Sequence, residues 1–447
     1  MSGQKTTVRP SRTDGTSKRA HVPASKSTEP DSPTEAVLAG LDQARDWQED
    51  LYRDLHENPE LSYQEHRTAG LVADRLRNAG CEVHAGVGKT GVVGILRNGD
   101  GPTVLLRSEI DCLPVEEKTG LPYASTARGT DQFGNDVPLM HACGHDVHMT
   151  CLLGAASLLA DAREHWHGTL VMVFQPAEEF GSGAQSMVDD GLADLVGTVS
   201  VALTQHVLPF PAGQVASRPG IMFSIADSIK ITVHGRGGHG SMPQSTVDPV
   251  VLAAMIVIRL QTVVSREIAP IESAVLTVGS IESGSKSNVI ADDAVLLLNI
   301  RTYSEVVRTE VLAAVHRIVK AECRASGSPR EPEFEMYDHF PITDNDAATT
   351  TRVRDSFDAV FGSDSHDLPL QTPSEDFPNI PNALGVPYTY WGLGCIDPDT
   401  YEKAKVADRI EQDIPVNHSS LFAPAIQPTL DTGTKALAAA SLAWLAQ

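Results

Sequence analysis

Apolar residues follow two rhythms along this chain. Leu38, Leu41, Leu51 and Leu55 recur at roughly helical spacing, which predicts an amphipathic helix. Its start is signalled by Ser32, Pro33 and Glu35: a capping hydroxyl, a proline suited to the first helical position, and a carboxylate that completes a capping box. "SYQE" repeats the device at Ser62 and Glu65, and the helix it predicts stops near Gly80. Four apolar runs then read as buried strands: "GVVGIL", "TVLLRSEI", "TLVMVFQ" and "VSVALTQHV". Continuous runs are expected where both faces of a sheet are covered. Helical patterns such as "MTCLLGAASLLADA" separate several of them. The alternation predicts an α/β fold with a parallel or mixed sheet.

The pattern changes near residue 222. "SIKITVHG" alternates apolar with polar, as a half-buried strand does. A helix is predicted from about Asp248 to Glu267, then strands "AVLTVGSI" and "AVLLLNIR", a helix from Ser304 to about Ser326, and a strand "EFEMYDHF". The order β-α-β-β-α-β is the ferredoxin-like plan. "PYTYWGLG" and an Ala-rich C-terminal helix then return to the first pattern. The expected organisation is a tail at 1–32, a larger domain in two parts at 33–221 and 336–447, and an inserted α+β domain at 222–335.

A length of 447 residues suits two cores, and 41% hydrophobic with 21% charged residues is a globular balance. The net charge of −23 makes the body acidic, which argues against nucleic acid as a partner. The first 30 residues differ, with six basic residues against two acidic ones and many Ser, Thr and Pro; such composition predicts disorder. The six cysteines are scattered without a C-x-x-C pair, which fits reduced thiols and a cytoplasmic location. No apolar stretch of membrane-spanning length and no secretory h-region is read, so no membrane partner is expected.

Candidate chemistry begins at "PLMHACGHDVHM", which packs His141, Cys143, His145, Asp146 and His148 into eight positions. In an extended segment, side chains two apart share a side, so Cys143 and His145 could reach one metal, with His141 behind and Asp146 capping the next helix. "FQPAEEFGSGA" puts Glu178 and Glu179 just past a strand end, where ligands gather in α/β folds. One carboxylate can bind metal while the other serves as general base. His206 ends another apolar run, and His418 lies in a polar loop before the last helix. Each alone is more often structural. Together Cys143, His145, Glu179, His206 and His418 exceed the three or so protein ligands of one catalytic zinc and suit two metals sharing a bridging water.

The motifs "HACGHDVH", "QPAEE", "QHVLP", "GRGGHGSMP", "SNVIAD", "PSEDF" and "NHSS", in this order, resemble the dinuclear metallo-amidohydrolases related to aminoacylase. Within that family they look like the branch of hippurate hydrolase and the indole-acetyl-amino-acid hydrolases. The resemblance runs from about Pro33 to the C-terminus. It implies a mixed-sheet metallopeptidase-like catalytic domain carrying the inserted domain. It also implies Cys143, His145, Glu179, His206 and His418 as ligands of two divalent ions (Zn, Mn or Co), and Glu178 as general base on a metal-activated water. His239 and Asn288 would contact the substrate carbonyl, and Arg301 would hold its carboxylate. The implied substrate is a small N-acyl amino acid. The implied assembly is a homodimer through the inserted domain, with His239 serving the partner's site.

Three positions depart from the family pattern: Pro373 where glycine is usual, and Ser420 and Ala291 where proline is usual; a fourth, Glu109, stands where related peptidases keep a metal-binding histidine that the resembled branch generally replaces by its Cys motif. They bear on substrate choice more than on catalysis. The same site would also suit a dipeptidase or carboxypeptidase. A catalytically silent metal-binding homologue would have no use for Glu178, and a structural zinc site fits five dispersed ligands poorly.

Overall fold

In the strand Gly168–Gln175, Leu170, Met172 and Phe174 point into one apolar cluster, and Val171 and Val173 into another. Its neighbours repeat this: Val92 and Leu96 against Val93 and Ile95, and Val104 and Leu106 against Leu105. Both faces are buried, which is why these strands read as unbroken apolar runs. The computed structural model describes residues 32–446 and the isolated positions 3, 6 and 7. The predicted tail therefore lies almost wholly outside the described residues.

The large sheet has eight strands. In spatial order they are Glu82–Val87, Gly91–Asn98, Gly168–Gln175, Thr103–Glu109, Val201–Pro211, Tyr388–Ile396, Val215–Ser217 and Ser365–Asp367. The four from Gly168–Gln175 to Tyr388–Ile396 pair in parallel, and antiparallel pairs flank them. Helices His145–Asp161 and Ile426–Leu445 contribute to the cluster on one face. Short helices Gly183–Asp189, Leu192–Val196 and Asn379–Leu384 contribute to the other.

The second sheet has four strands in the order Ala274–Glu282, Asp293–Thr302, Ile225–His234, Glu333–Phe340, all antiparallel. With helices Pro249–Arg266 and Glu305–Ala325 it makes the β-α-β-β-α-β order read from the sequence. Its core is separate from those of the large sheet and includes Leu252, Ile256, Leu260, Leu296, Leu298 and Ile300. Asp248 caps the first of these helices through Val250 and Val251, and Pro249 takes its first position. The last strand continues to Phe340, so the expected boundary at 335 falls inside it.

Three local expectations are corrected. Ser62 does not cap a helix; it is buried and donates to Asp111 at 2.7 Å. The helix starts at His66, and the Glu60 carboxylate accepts from the amides of Arg67 and Thr68 at 3.0 and 2.7 Å. Asp146 lies inside the first turn of its helix, where its carboxylate pairs with His56 at 2.6 Å. The helix Pro249–Arg266, at mean hydropathy 1.5, is long and apolar enough by composition to cross a membrane, which the sequence reading did not anticipate. One face of it packs on the four-stranded sheet. The "SPTE" start is present as predicted, with Ser32 accepting from the Glu35 amide.

The alternation of buried residues along Asp293–Thr302 makes Leu296 a fair test of the second core. Leu296→Ala should cost about 2–5 kcal/mol. Urea unfolding followed by circular dichroism should show an earlier transition, and an unchanged midpoint would refute its central place.

Candidate metal centre and active site

Glu178 and Glu179 follow the strand Gly168–Gln175, and Asp111 follows the adjacent parallel strand Thr103–Glu109. His206 lies within the strand Val201–Pro211. Cys143 and His145 flank a tight turn at Gly144, which has φ 85° and caps the helix His145–Asp161. This turn, rather than an extended segment, brings their side chains together. A Cβ on Gly144 would stand 2.3 Å from Val207, so the position requires glycine both for conformation and for space. Ala177 and His418 also adopt left-handed backbone, at φ 48° and 69°. Non-glycine residues held there commonly mark functional sites.

The donors converge. Cys143 Sγ lies 3.4 Å from His206 Nε2, and His418 Nε2 lies 3.5 Å from Glu179 Oε1. His145 Nε2 is 3.9 Å from both Glu178 and Glu179. Ligand atoms of Cys143, Glu179 and His418 all fall within 4.8 Å of one another, as do those of His145, Glu178 and Glu179. His145 Nδ1 donates to the Asp111 carbonyl at 2.8 Å, and His206 Nδ1 to the Val207 carbonyl at 2.8 Å. These two histidines thus turn Nε2 toward the cluster, the outer-sphere arrangement typical of metal-bound imidazole. His141 stays out: it is buried, with neither ring nitrogen hydrogen-bonded among the described residues.

These residues fit divalent ions. His145 Nε2 and Glu179 Oε1 are buried without a hydrogen-bond partner among the described residues, a costly state that a shared cation would relieve. Burial, then the charges of Glu375, Glu179 and Asp376, pushes the Glu178 carboxyl well above the usual carboxylate range. Burial likewise pushes Glu179 up to about 8, while His145 draws it down. Burial, with the neighbouring His148, pushes His206 well below the usual imidazole range, leaving it neutral as a ligand must be. Positive charge brought to this floor would draw both carboxyls back toward ionisation.

Beneath the donors lies a polar layer that sequence reasoning missed. Arg107 is buried and bonds to Glu109, Glu375, Asp376 and Gln175. Glu109 accepts from His148 Nδ1 at 2.8 Å, and His148 Nε2 accepts the Val207 amide at 2.9 Å. Glu109, where related peptidases keep a ligand, and His148, beside three candidate donors in "HACGHDVH", were the available signals.

A cavity of about 460 Å³ opens above the donors. Cys143, Glu178, Glu179, His206 and His418 line its floor, and Leu208, Phe223, Phe340 and Tyr390 give it apolar wall. Arg301 also lines it, donating to the Thr372 carbonyl at 3.3 Å and Ser374 Oγ at 3.0 Å, with no acidic partner among the described residues. His239 and Asn288 are elsewhere. Their segments pair in a short ladder, and the Gly240 amide donates to the Asn288 carbonyl at 2.9 Å. Both side chains are exposed, and neither lines the cavity.

The sequence pattern described as peptidase family M20/M25/M40 matches residues 105–416. Thermostable carboxypeptidase 2 of Saccharolobus solfataricus is 39% identical over 324 residues, covering 71% of this chain and 79% of that protein. IAA-amino acid hydrolase ILR1-like 4 of Arabidopsis thaliana is 34% identical over 361 residues, covering 80% and 79%. Among solved structures, the Bacillus subtilis YxeP protein, described as a dinuclear metal binding peptidase from the M20 family, matches with TM-score 0.71 at 25% identity, over 90% of this chain and 98% of that one.

Gly144→Ala tests the turn that seats Cys143 and His145. It forces a Cβ against Val207 and a left-handed conformation on alanine, so it should cost more than about 1 kcal/mol. Calorimetry should show a lower Tm, and an unshifted Tm would mean that the turn has slack.

Proposed function

The chain belongs to peptidase family M20/M25/M40, and from that membership we propose that this hydrolase cleaves the amide bond of N-acyl amino acids, with Glu178 as general base. The observation that carries this reading is the cavity floor. There Glu178 adjoins the candidate metal donors Cys143, Glu179, His206 and His418, and the wall above offers the guanidinium of Arg301, which has no acidic partner among the described residues. Cys143, His145, Glu179, His206 and His418 would hold two divalent ions, with zinc, manganese and cobalt all suited to such donors. Ions bound there would supply Lewis acidity, the property that lowers the pKa of water and polarises a carbonyl.

The chain's own groups do the rest. Glu178 accepts the proton of the attacking water and returns it to the leaving amine, which releases a carboxylic acid and an amino acid. Arg301 pairs with the free carboxylate of the substrate. Leu208, Phe223, Phe340 and Tyr390 receive the acyl group. The likeness to a carboxypeptidase supports a second reading, a peptide substrate with the same free carboxylate.

His239 and Asn288 would complete the site from a second copy of the chain, as oxyanion donors. Exposed Val251, Met255 and Ile258 share one face of the helix Pro249–Arg266, and the edge strand Ala274–Glu282 exposes Val275 and Ile281. Exposed apolar residues beside an open sheet edge suit association between copies. The four-stranded unit would thus serve as both lid and dimer contact.

A panel of N-acyl amino acids and dipeptides, assayed with and without chelator, tests the reaction. Acyl-amino-acid turnover that chelator abolishes is expected, and preferential dipeptide cleavage would favour the second reading. Glu178→Gln should retain the metals and lose most turnover; near-normal turnover with metals in place would refute the base.

His239→Ala should bind metal normally and lower kcat about a hundredfold, by analogy with the loss of one oxyanion donor. Mixing it with Glu178→Gln subunits should restore some activity, because one site of the hybrid regains both residues. No recovery despite proven subunit exchange would return His239 to its own chain.

A further inference from the structure

Three buried carboxylates from separate parts of the chain each accept one backbone N–H from the segment 177–184, which carries Glu178 and runs into the next helix. Glu65 accepts from Ala177 at 2.9 Å, Asp111 from Glu179 at 3.0 Å, and Asp376 from Ala184 at 2.9 Å. Asp111 and Asp376 adjoin the donor cluster and its polar layer. Glu65 stands apart. It is fully buried just before the helix His66–Asn78, and its second oxygen accepts from Thr90 Oγ1 at 2.6 Å. Both of its oxygens are therefore fixed.

The residue it holds is the strained one. Ala177 has φ 48° and ψ 42°, and its carbonyl accepts from Gly183 at 3.1 Å to close the turn. Such backbone is unfavourable for a residue with a Cβ and persists only where its surroundings impose it. Glu178 is the next residue, so its side-chain direction depends on that conformation. We infer that Glu65 is a positioning residue: by gripping the Ala177 amide it keeps the turn left-handed and aims Glu178 into the cavity. This rests on the reading of Glu178 as base.

Two variants separate reach from the carboxyl group itself. Glu65→Gln keeps the length and an acceptor for Ala177, whereas Glu65→Asp keeps the carboxyl and withdraws it by one methylene. Glu65→Asp should lower kcat about 10- to 100-fold, the scale expected of an ångström-sized misplacement, with KM within about threefold and metal content unchanged. Glu65→Gln should stay within about threefold of the parent in kcat. Amide exchange of residues 176–184, read by mass spectrometry, should quicken in the Asp variant and not in the Gln variant. Thr90→Val, which frees the second oxygen to swing, should show the Asp pattern more weakly.

Parent kcat in Glu65→Asp, or equal impairment in Glu65→Gln, would overturn the proposal. Loss of metal from the Asp variant would also overturn it, because Glu65 would then act through the ligands. Glu178→Gln, measured alongside, keeps the two readings distinct. If that variant retained turnover, the base assignment would fail while the exchange difference would still report the grip on Ala177.

Discussion

The buried guanidinium of Arg107 holds the floor of the site together. It donates to Glu375 at 2.8 Å, to Asp376 at 3.3 Å, to Gln175 at 2.8 Å and to Glu109. Glu109 and Gln175 end neighbouring parallel strands, while Glu375 and Asp376 come from a loop far along the chain. A buried charge without partners costs several kcal/mol, so these elements are held to one arrangement. The effect passes outward. Glu109 fixes the tautomer of His148, which accepts the Val207 amide beside His206. Asp376 accepts the Ala184 amide in the helix that follows Glu178 and Glu179. Replacing Arg107 would therefore disturb residues that it never touches.

One guanidinium does not balance this layer. Glu109, Glu375 and Asp376 share it, and Glu178 and Glu179 lie just above. Burial first, and then the neighbouring negative charge, is why both glutamates resist ionisation, and the charge excess is what divalent cations would offset. The same imbalance suits a proton carrier. A carboxylate among other carboxylates holds a proton more readily than one in water, and a nearby cation weakens that hold. Glu178, one residue from a donor and within reach of Glu375, lies between the two influences.

Much of this was legible in the sequence because it depends on local pattern. Apolar runs marked the buried strands, alternation marked the half-buried second sheet, and loop-facing His, Cys and Glu residues marked the floor. What escaped depends on contacts across the fold. The "SYQE" box has the composition of a helix cap, yet Ser62 is drawn to Asp111 and Glu65 to Ala177, because buried groups there need partners more than an exposed helix start does. Asp146 pairs with His56 from another helix for the same reason. Arg107 sits in the middle of an apolar run, and no local pattern marks its partners more than 260 positions away. His239 and Asn288 could be read as a pair from their motifs, but their distance from the cavity is a matter of tertiary placement.

The cavity exists only because two sheets meet. Arg301 and Phe340 belong to the smaller sheet, and the donors to the larger one. Loop 371–374 lies between them and is gripped from the smaller side: Ser224 donates to Pro373, Arg301 to Thr372 and Ser374, and Tyr303 to Gln371. Phe340 meanwhile packs so closely on Gly181 that a Cβ there would stand 2.6 Å from its ring. A shift of the small sheet would thus move the guanidinium and press on the loop of Glu178 together. Pro373, where the family usually has glycine, stiffens the linking loop by fixing its own φ and restricting Thr372 before it. Arg301 leans on carbonyl and hydroxyl oxygens of that loop. Stiffness there sets the distance from Arg301 to the donor cluster on the cavity floor, and under the proposed function it would limit the length of substrate that spans both.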